Sequence, residues 1–340
     1  MLTTTTGAFQ YIVGPQLWAQ LNTEANVFAA VMKKEWSESG IRVITGFPST
    51  KIRGVAQATS SVGASVLPSF VQYQPTIKVM ETPFDASLQA IYLGARGEMV
   101  TWEQFREFMG VVHKVGINET LLTDVDTLAS NNFESLDRIV SSNSEVANCG
   151  ITAGDSDIFG LDRDAAASWA DANVLHNSNT TRPLSRNLLN TLQRTVFAAT
   201  GDMNPGNYFW LTGLDTYQRW NELVDSLQRL DEKSYSFSPL NGVTLGFEGQ
   251  KEVSVMLAVY ARSPIILSHN VKADGISRVY YVHKDHTHFR VVQPTVYREV
   301  GISSGQEILL GRYGDAGLFY TAGELVSNFF AANGKLRDLA

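Results

Sequence analysis

Three histidines, His283, His286 and His288, crowd into the stretch HKDHTH between two β-capable runs. If Lys284-Asp285 is a two-residue turn, His283 and His286 face each other across a hairpin and His288 shares a face with His286. Three imidazoles within reach of one another make a zinc ligand set. Catalysis would also need an open coordination position, supporting hydrogen bonds and a pocket, whereas hairpin tips are exposed. The three therefore read as solvated hairpin histidines, and no metal ligand is assigned.

Other spacings imitate active sites and fail on a named residue. Gly301-Ile302-Ser303-Ser304-Gly305 has the pattern of a nucleophile elbow, which needs a strand–turn–helix and a histidine later in the chain. No histidine follows Ser303, and residues 306–313 read as strand. Asp155-Ser156-Asp157 opens like a calcium loop, but Phe159 and Ala166 stand at the fifth and twelfth positions, where oxygen ligands belong. Residues 201–206 have the glycine spacing of a phosphate loop, yet Asn207-Tyr208 replace the Lys and Ser/Thr that would reach phosphate and magnesium. His113, His176 and His269 have no identifiable acid partner in the sequence. Tyr208-Phe209-Trp210 lacks basic neighbours and reads as core rather than as a base-stacking platform. No catalytic, cofactor-binding or metal residue is assigned, and no cofactor is expected.

The elements around these residues are better defined than any chemistry. Over 98–122, Trp102, Phe105, Met109, Val112 and Gly116 recur at spacings of three and four, without proline. This predicts an amphipathic spine helix of about 35 Å. Residues 1–25 read as an extended arm, and 27–36 as a short helix with Lys33 and Lys34 on its exposed side. The Gly/Ser/Thr-rich stretch at about 42–70 reads as a long exposed β-hairpin. Val71, Tyr73, Ile77 and Val79 alternate with polar residues as in a half-buried strand, with Pro75 marking an edge or bulge. Arg182-Pro183-Leu184-Ser185 opens a second helix with proline near its first turn, and Leu184, Leu188, Leu192 and Val196 form its buried stripe. Asn204-Pro205-Gly206 is a turn before a strand at 208–211. A third helix follows through Leu214, Tyr217, Trp220, Leu223, Val224 and Leu227. Residues 253–283 are β-rich. Thr321-Ala322-Gly323-Glu324 has the spacing of a capping box, predicting a C-terminal helix stopped by Asn333-Gly334.

Composition narrows the class. The chain has 340 residues, more than a single core ordinarily fills, with 44% hydrophobic and 18% charged residues. A net charge of −7 without a Lys/Arg cluster argues against a dedicated nucleic-acid groove. Cys149 is the single cysteine, which excludes an intrachain disulfide and a cysteine-built zinc site. No 18-residue apolar run or secretion signal is present, so the expectation is a soluble chain made in a reducing cytoplasm, without a membrane partner. An arm and a long hairpin of small residues suit a protein stabilised by reaching over neighbouring copies.

The order of segments resembles the major capsid proteins of tailed viruses, the Hong Kong 97-type α+β fold. The resemblance is carried by VAQATSSVGAS with the alternating strand VQYQPTIKV, then by the spine helix ending GINETLL. It continues through FESLDRIV, FGLDRDAAASWADANV, RPLSRNLLNTLQRTV, NPGNYFWLTGLDTYQRW and ARSPIILSHNVKADGISRVYYVHKDHTHFRV. It implies an N-terminal arm over 1–25 and a peripheral domain over 26–128 that contains the extended loop and the spine helix. An axial domain would follow over 129–280, with 281–340 supplying returning strands and a C-terminal helix. It also implies pentamers and hexamers closing an icosahedral shell around double-stranded viral DNA in a virion assembled in the host cytoplasm. The expected partners are the chain itself, a separate scaffolding protein, a portal and decoration proteins. Lys51 lies in the loop, but no Asn partner matches it and no cross-link is expected. An encapsulin-type compartment enclosing cargo is the alternative within the fold. A soluble metal-dependent enzyme using His283, His286 and His288 is the alternative outside it.

Overall fold

A computed structural model describes residues 26–38, 40–46, 67–87, 101–125, 131–163, 168–225, 231–237, 253–272, 277–301 and 314–340. The expectations for 1–25 and 306–313, and most of the serine pattern at 301–305, lie outside the described residues.

The first elements already depart from the sequence reading. Helix α1 (Asn26–Ala30) ends after five residues, and the chain continues as strand β1 (Met32–Glu35) rather than as helix to Trp36. Lys33 is buried, not exposed. Its Nζ donates to the carbonyls of Phe28 (2.5 Å) and Val31 (3.2 Å), which the end of α1 leaves without helical partners. Burial without an acid lowers its pKa to about 8.

Strands β2 (Ile41–Gly46) and β3 (Ser69–Tyr73) pair antiparallel as a two-stranded ribbon; residues 47–66 between them lie outside the described residues. The alternating stretch 71–79 is two strands and not one. Gln74–Ile77 pair with nothing in the ladders, and β4 (Lys78–Ser87) starts with its parity reset. Met80, Thr82 and Phe84 therefore face inward, while Ile77 and Val79 are 47% and 54% exposed.

The spine helix α2 (Trp102–Leu121) is about 30 Å long and opens on a capping box. Thr101 Oγ1 accepts from the Gln104 amide, and Gln104 Oε1 accepts from the Thr101 amide, each at 3.4 Å. Its buried face is rotated from the predicted stripe and runs through Gly110, His113, Ile117 and Leu121. His113 and Asn118 look like surface residues to a hydropathy pattern, but the fold satisfies both. His113 sits between Thr82 Oγ1 (2.8 Å) and Thr321 Oγ1 (2.9 Å). Asn118 Oδ1 accepts the amides of Val27 and Phe28, which caps α1 and ties it to the spine.

The chain continues through α3 (Leu136–Ile139), α4 (Asn143–Asn148), β5 (Asn173–Leu175), α5 (Arg186–Thr200), β6 (Tyr208–Thr212), α6 (Leu214–Asp225) and β7 (Asp231–Phe237). Then follow β8 (Val253–Tyr260), β9 (Ser263–Leu267), β10 (Ser277–His283), β11 (Thr287–Val300), β12 (Gly314–Ser327) and β13 (Gly334–Leu339). Ser185 is the N-cap of α5, so Pro183 lies before the helix and not in its first turn. Leu189 takes the buried place predicted for Leu188.

Two sheets organise these elements. A four-stranded sheet has the order β1-β11-β12-β4, with α2 across one face; a seven-stranded sheet has the order β5-β13-β10-β6-β9-β8-β7. Strands β10 and β11 belong to different sheets, so the predicted hairpin at Lys284-Asp285 is a crossover. Each strand finds longer non-local partners: β11 follows β12 from Thr287↔Ser327 to Val300↔Ala316, and β10 lies between β6 and β13. The predicted C-terminal helix is also replaced, by β12, the short 3-10 turn Phe330–Ala332 and β13. Thr321–Glu324 is central in its sheet, and a Cβ at Gly323 would overlap the Arg290 carbonyl. Helix-like spacing there loses to two flanking ladders.

A buried ionic network ties α3 and α4 to the seven-stranded sheet. Lys335 Nζ lies 3.0 Å from Asp137 Oδ1 and 2.7 Å from Glu145 Oε1, and Arg337 reaches the same Glu145 oxygen at 2.7 Å. Arg278 pairs with Asp137 and Asp124, and the Tyr280 hydroxyl donates to Asp137 Oδ1 at 2.8 Å. Burial alone would raise the Asp137 carboxyl, but Arg278 and Lys335 outweigh it and hold it well below the ordinary range.

His113 gives the fold an acid sensitivity. Burial lowers its pKa to about 4, so between the unfolded value of 6.5 and 4 the unfolded chain binds the extra proton. Stability is lost as pH falls through that window, by about 3 kcal/mol in full. Thermal melts at pH 7 and pH 4.5 are expected to differ less in His113→Gln than in the wild type; an unchanged difference would refute this.

Candidate functional site

The residues singled out for chemistry do not converge. His283 is 3% exposed, with Nε2 3.2 Å from Asp202 Oδ2 and Nδ1 accepting the Asp285 amide at 3.1 Å. His286 lies beside it, with ring centroids 4.4 Å apart, and burial lowers its pKa. His288 is 1% exposed inside the four-stranded sheet; burial, with Lys34 and Arg290 near it, lowers its pKa to about 3. The reading of solvated hairpin histidines is corrected, because the crossover carries His283 and His288 into packed layers. Among the described residues, no group of three His, Cys, Asp or Glu is placed to hold a metal ion.

The calcium-like turn is structural: Asp157 Oδ1 accepts the Arg163 amide at 3.1 Å. His176 meets Ser144 Oγ at 3.0 Å. Tyr208, Phe209 and Trp210 are buried, and Trp210 packs on Tyr281 with centroids 4.2 Å apart. Among the described residues, no helix is long and apolar enough to cross a membrane.

The feature left half uncovered among the described residues is the β2–β3 ribbon. One face packs inward: Ile41 pairs with Tyr73, whose hydroxyl donates to the Ser327 carbonyl and whose ring stacks on Phe159 at 5.5 Å. On the other face Ile44 is directly opposite Phe70, and they are 56% and 67% exposed; Leu67, just before β3, is 78% exposed. A two-stranded ribbon is marginal in water by itself, and one apolar on both faces needs a second surface. Sequence reasoning located this segment by its small residues but did not identify the outward pair, because only the register decides which side chains the core takes.

A second exposed apolar set, Ile77, Val79 and Val292, lies where β4 begins and on β11 of the four-stranded sheet. Among the described residues, exposed apolar side chains thus occur both on the ribbon and on the four-stranded sheet, and head-to-tail contacts between copies need two different surfaces.

No protein-family model matches this chain, and no curated protein matches it in sequence. Its structure is similar to solved shells over its whole length. The capsid of a native GTA particle matches with a TM-score of 0.62 at 10% identity, covering 100% of both chains. The capsid of cyanophage A-1(L) matches at 0.61 and 11% identity, covering 96% of each. The SrpI encapsulin of Synechococcus elongatus matches at 0.54 and 12% identity, covering 100% of this chain and 96% of its own. The expected α+β architecture is present across the chain, which has the Hong Kong 97-type capsid fold.

Proposed function

We propose that this chain is a non-enzymatic shell protein, the major capsid protein of a tailed virus. Its copies close as pentamers and hexamers into an icosahedral shell around double-stranded DNA. The observation that carries the reading is the β2–β3 ribbon, with an outward apolar pair and no covering surface among the described residues of its own chain. The fold supports it by likeness to solved capsids. In this reading the four-stranded sheet with α2 is the peripheral domain, the seven-stranded sheet is the axial domain, and the ribbon is the base of the extended loop.

Charge agrees with assembly. Residues 40–77 contain no Asp or Glu but include Arg42, Lys51 and Arg53, in a chain of net charge −7. Glu81, Asp85, Glu103 and Glu107 are exposed on β4 and α2. A basic loop from one copy and an acidic surface on the next attract each other. The overall negative charge lets a shell enclose DNA without gripping its phosphates. A scaffolding protein, a portal and decoration proteins complete the assembly.

The chain expressed with its scaffolding protein is expected to form closed particles, or rings of five and six, by negative-stain microscopy and size exclusion. A chain that stays monomeric with scaffold present would overturn the reading. The encapsulin likeness favours one second reading, a compartment around protein cargo. Nucleic acid inside particles isolated from the natural source supports the capsid; a cargo enzyme supports the compartment.

A further inference from the structure

We propose that Lys78, Glu134, Arg138 and Glu324 form a proton-operated latch that fastens the four-stranded sheet to the segment leading into α3. Glu324, on β12, is 1% exposed. Its Oε1 accepts the Glu134 amide at 2.6 Å and the Leu325 amide at 3.0 Å, and its Oε2 lies 3.2 Å from Lys78 Nζ on β4. Glu134 Oε1 lies 3.2 Å from the same Nζ, and its Oε2 is 3.7 Å from Arg138. Two largely buried carboxylates therefore share one ammonium where the two parts of the fold meet.

Two further cations lie on the neighbouring strands, each hydrogen-bonded to a backbone carbonyl rather than to Glu324. Arg290, opposite Glu324 on β11, donates from Nη1 to the Glu38 carbonyl at 2.9 Å. Lys34, next across on β1, donates to the Asp285 carbonyl at 3.2 Å. Burial, reinforced by the charge on Glu134, raises the Glu324 pKa to about 7 against the pull of Lys78 and the two amides.

The sign follows from linkage. Opening the junction exposes Glu324 to water, where its pKa returns to about 4.5, so the closed form binds the proton more tightly. A protonated Glu324 leaves Lys78 to Glu134, and the latch stays closed. As pH rises through 7 the carboxylate becomes charged without an ammonium of its own, and opening becomes easier. The latch belongs to the single chain; its consequence for a shell, a junction that loosens above neutral pH, rests on the capsid reading.

Hydrogen exchange of the full-length chain, corrected for intrinsic rates, tests this in peptides covering Glu134 and Leu325. Between pH 6 and pH 8.5 their protection is expected to fall about tenfold in the wild type. Glu324→Gln keeps the carbonyl acceptor and is expected to abolish that pH dependence. Glu134→Gln gives Lys78 wholly to Glu324 and is expected to move the transition to lower pH, which a merely structural role would not do. Protection equal at both pH values in the wild type, or a transition unmoved by Glu134→Gln, would overturn the latch. Absence of particles would bear on the capsid reading alone.

Discussion

Lys335→Met is expected to destabilise the chain by about 3–5 kcal/mol. The side chain is fully buried and faces two carboxylates that are themselves fully buried, Asp137 and Glu145. Removing it leaves Arg278 for Asp137 and Arg337 for Glu145, one cation short of the native arrangement. The residual negative charge has no water to relax into, so its desolvation cost is felt in full. Urea denaturation at pH 7 checks the prediction. Loss of the exposed pair Arg219–Glu222, through Arg219→Ala, is expected to stay within about 1 kcal/mol, since solvent screens it. Equal losses for the two variants would show that the buried network contributes no more than a surface pair. An acidic titration of Lys335→Met adds a second check. With a cation gone, Asp137 is held down less strongly, and its protonation should appear at higher pH than in the wild type.

The second large effect concerns assembly. Ile44→Asp combined with Phe70→Asp is expected to abolish particle formation while the melting temperature of the unassembled chain changes little. Both side chains are mostly in water in the single chain, so replacing them removes little native packing. In an assembled state each buried side chain would contribute about 1.5–3 kcal/mol per copy, repeated at every equivalent contact around the shell. Substituting carboxylates removes that term and adds the cost of burying charge in an apolar contact. Size exclusion and negative-stain microscopy of the double variant with scaffold read the outcome. Particles as abundant as those of the wild type would show that the ribbon's outer face is not an assembly contact. The companion change Tyr73→Phe affects the inner face instead. It removes a hydroxyl that bonds to the Ser327 carbonyl and is expected to act on stability before assembly.

Much of the architecture was legible because it rests on local physics. The spine helix has a proline-free apolar recurrence, and Trp102–Leu121 of the predicted 98–122 are helical among the described residues. Asn204-Pro205-Gly206 forms its turn, with Asn204 Oδ1 accepting the Gly206 amide. The apolar run at 208–211 is a buried strand, and β8, β9 and β10 lie in the stretch read as β-rich. The failures share a cause. Thr321–Glu324 carries a helix-start spacing, and Lys284-Asp285 carries a hairpin-turn spacing, but strands distant in sequence claim the flanking backbone in both places. Lys33, His113, Asn118 and Glu324 are polar residues that pattern assigns to the surface. The fold buries each one because a partner meets its polar atoms, the nearby Phe28 carbonyl for Lys33 and a group from another segment for the other three.

The sequence by itself determined the content of the chain: a long amphipathic helix, β-rich segments and a small-residue loop. These follow from dihedral preference, spacing and charge, which act within a few residues. Only the tertiary structure decided that β10 and β11 part into two sheets, that Asp137 and Glu145 share Lys335 away from water, and that Ile44 and Phe70 face outward together. Those outcomes depend on register and on contacts between distant segments, such as Asp137 and Lys335, 198 residues apart. The energy that selects them appears only when the distant partner is in place.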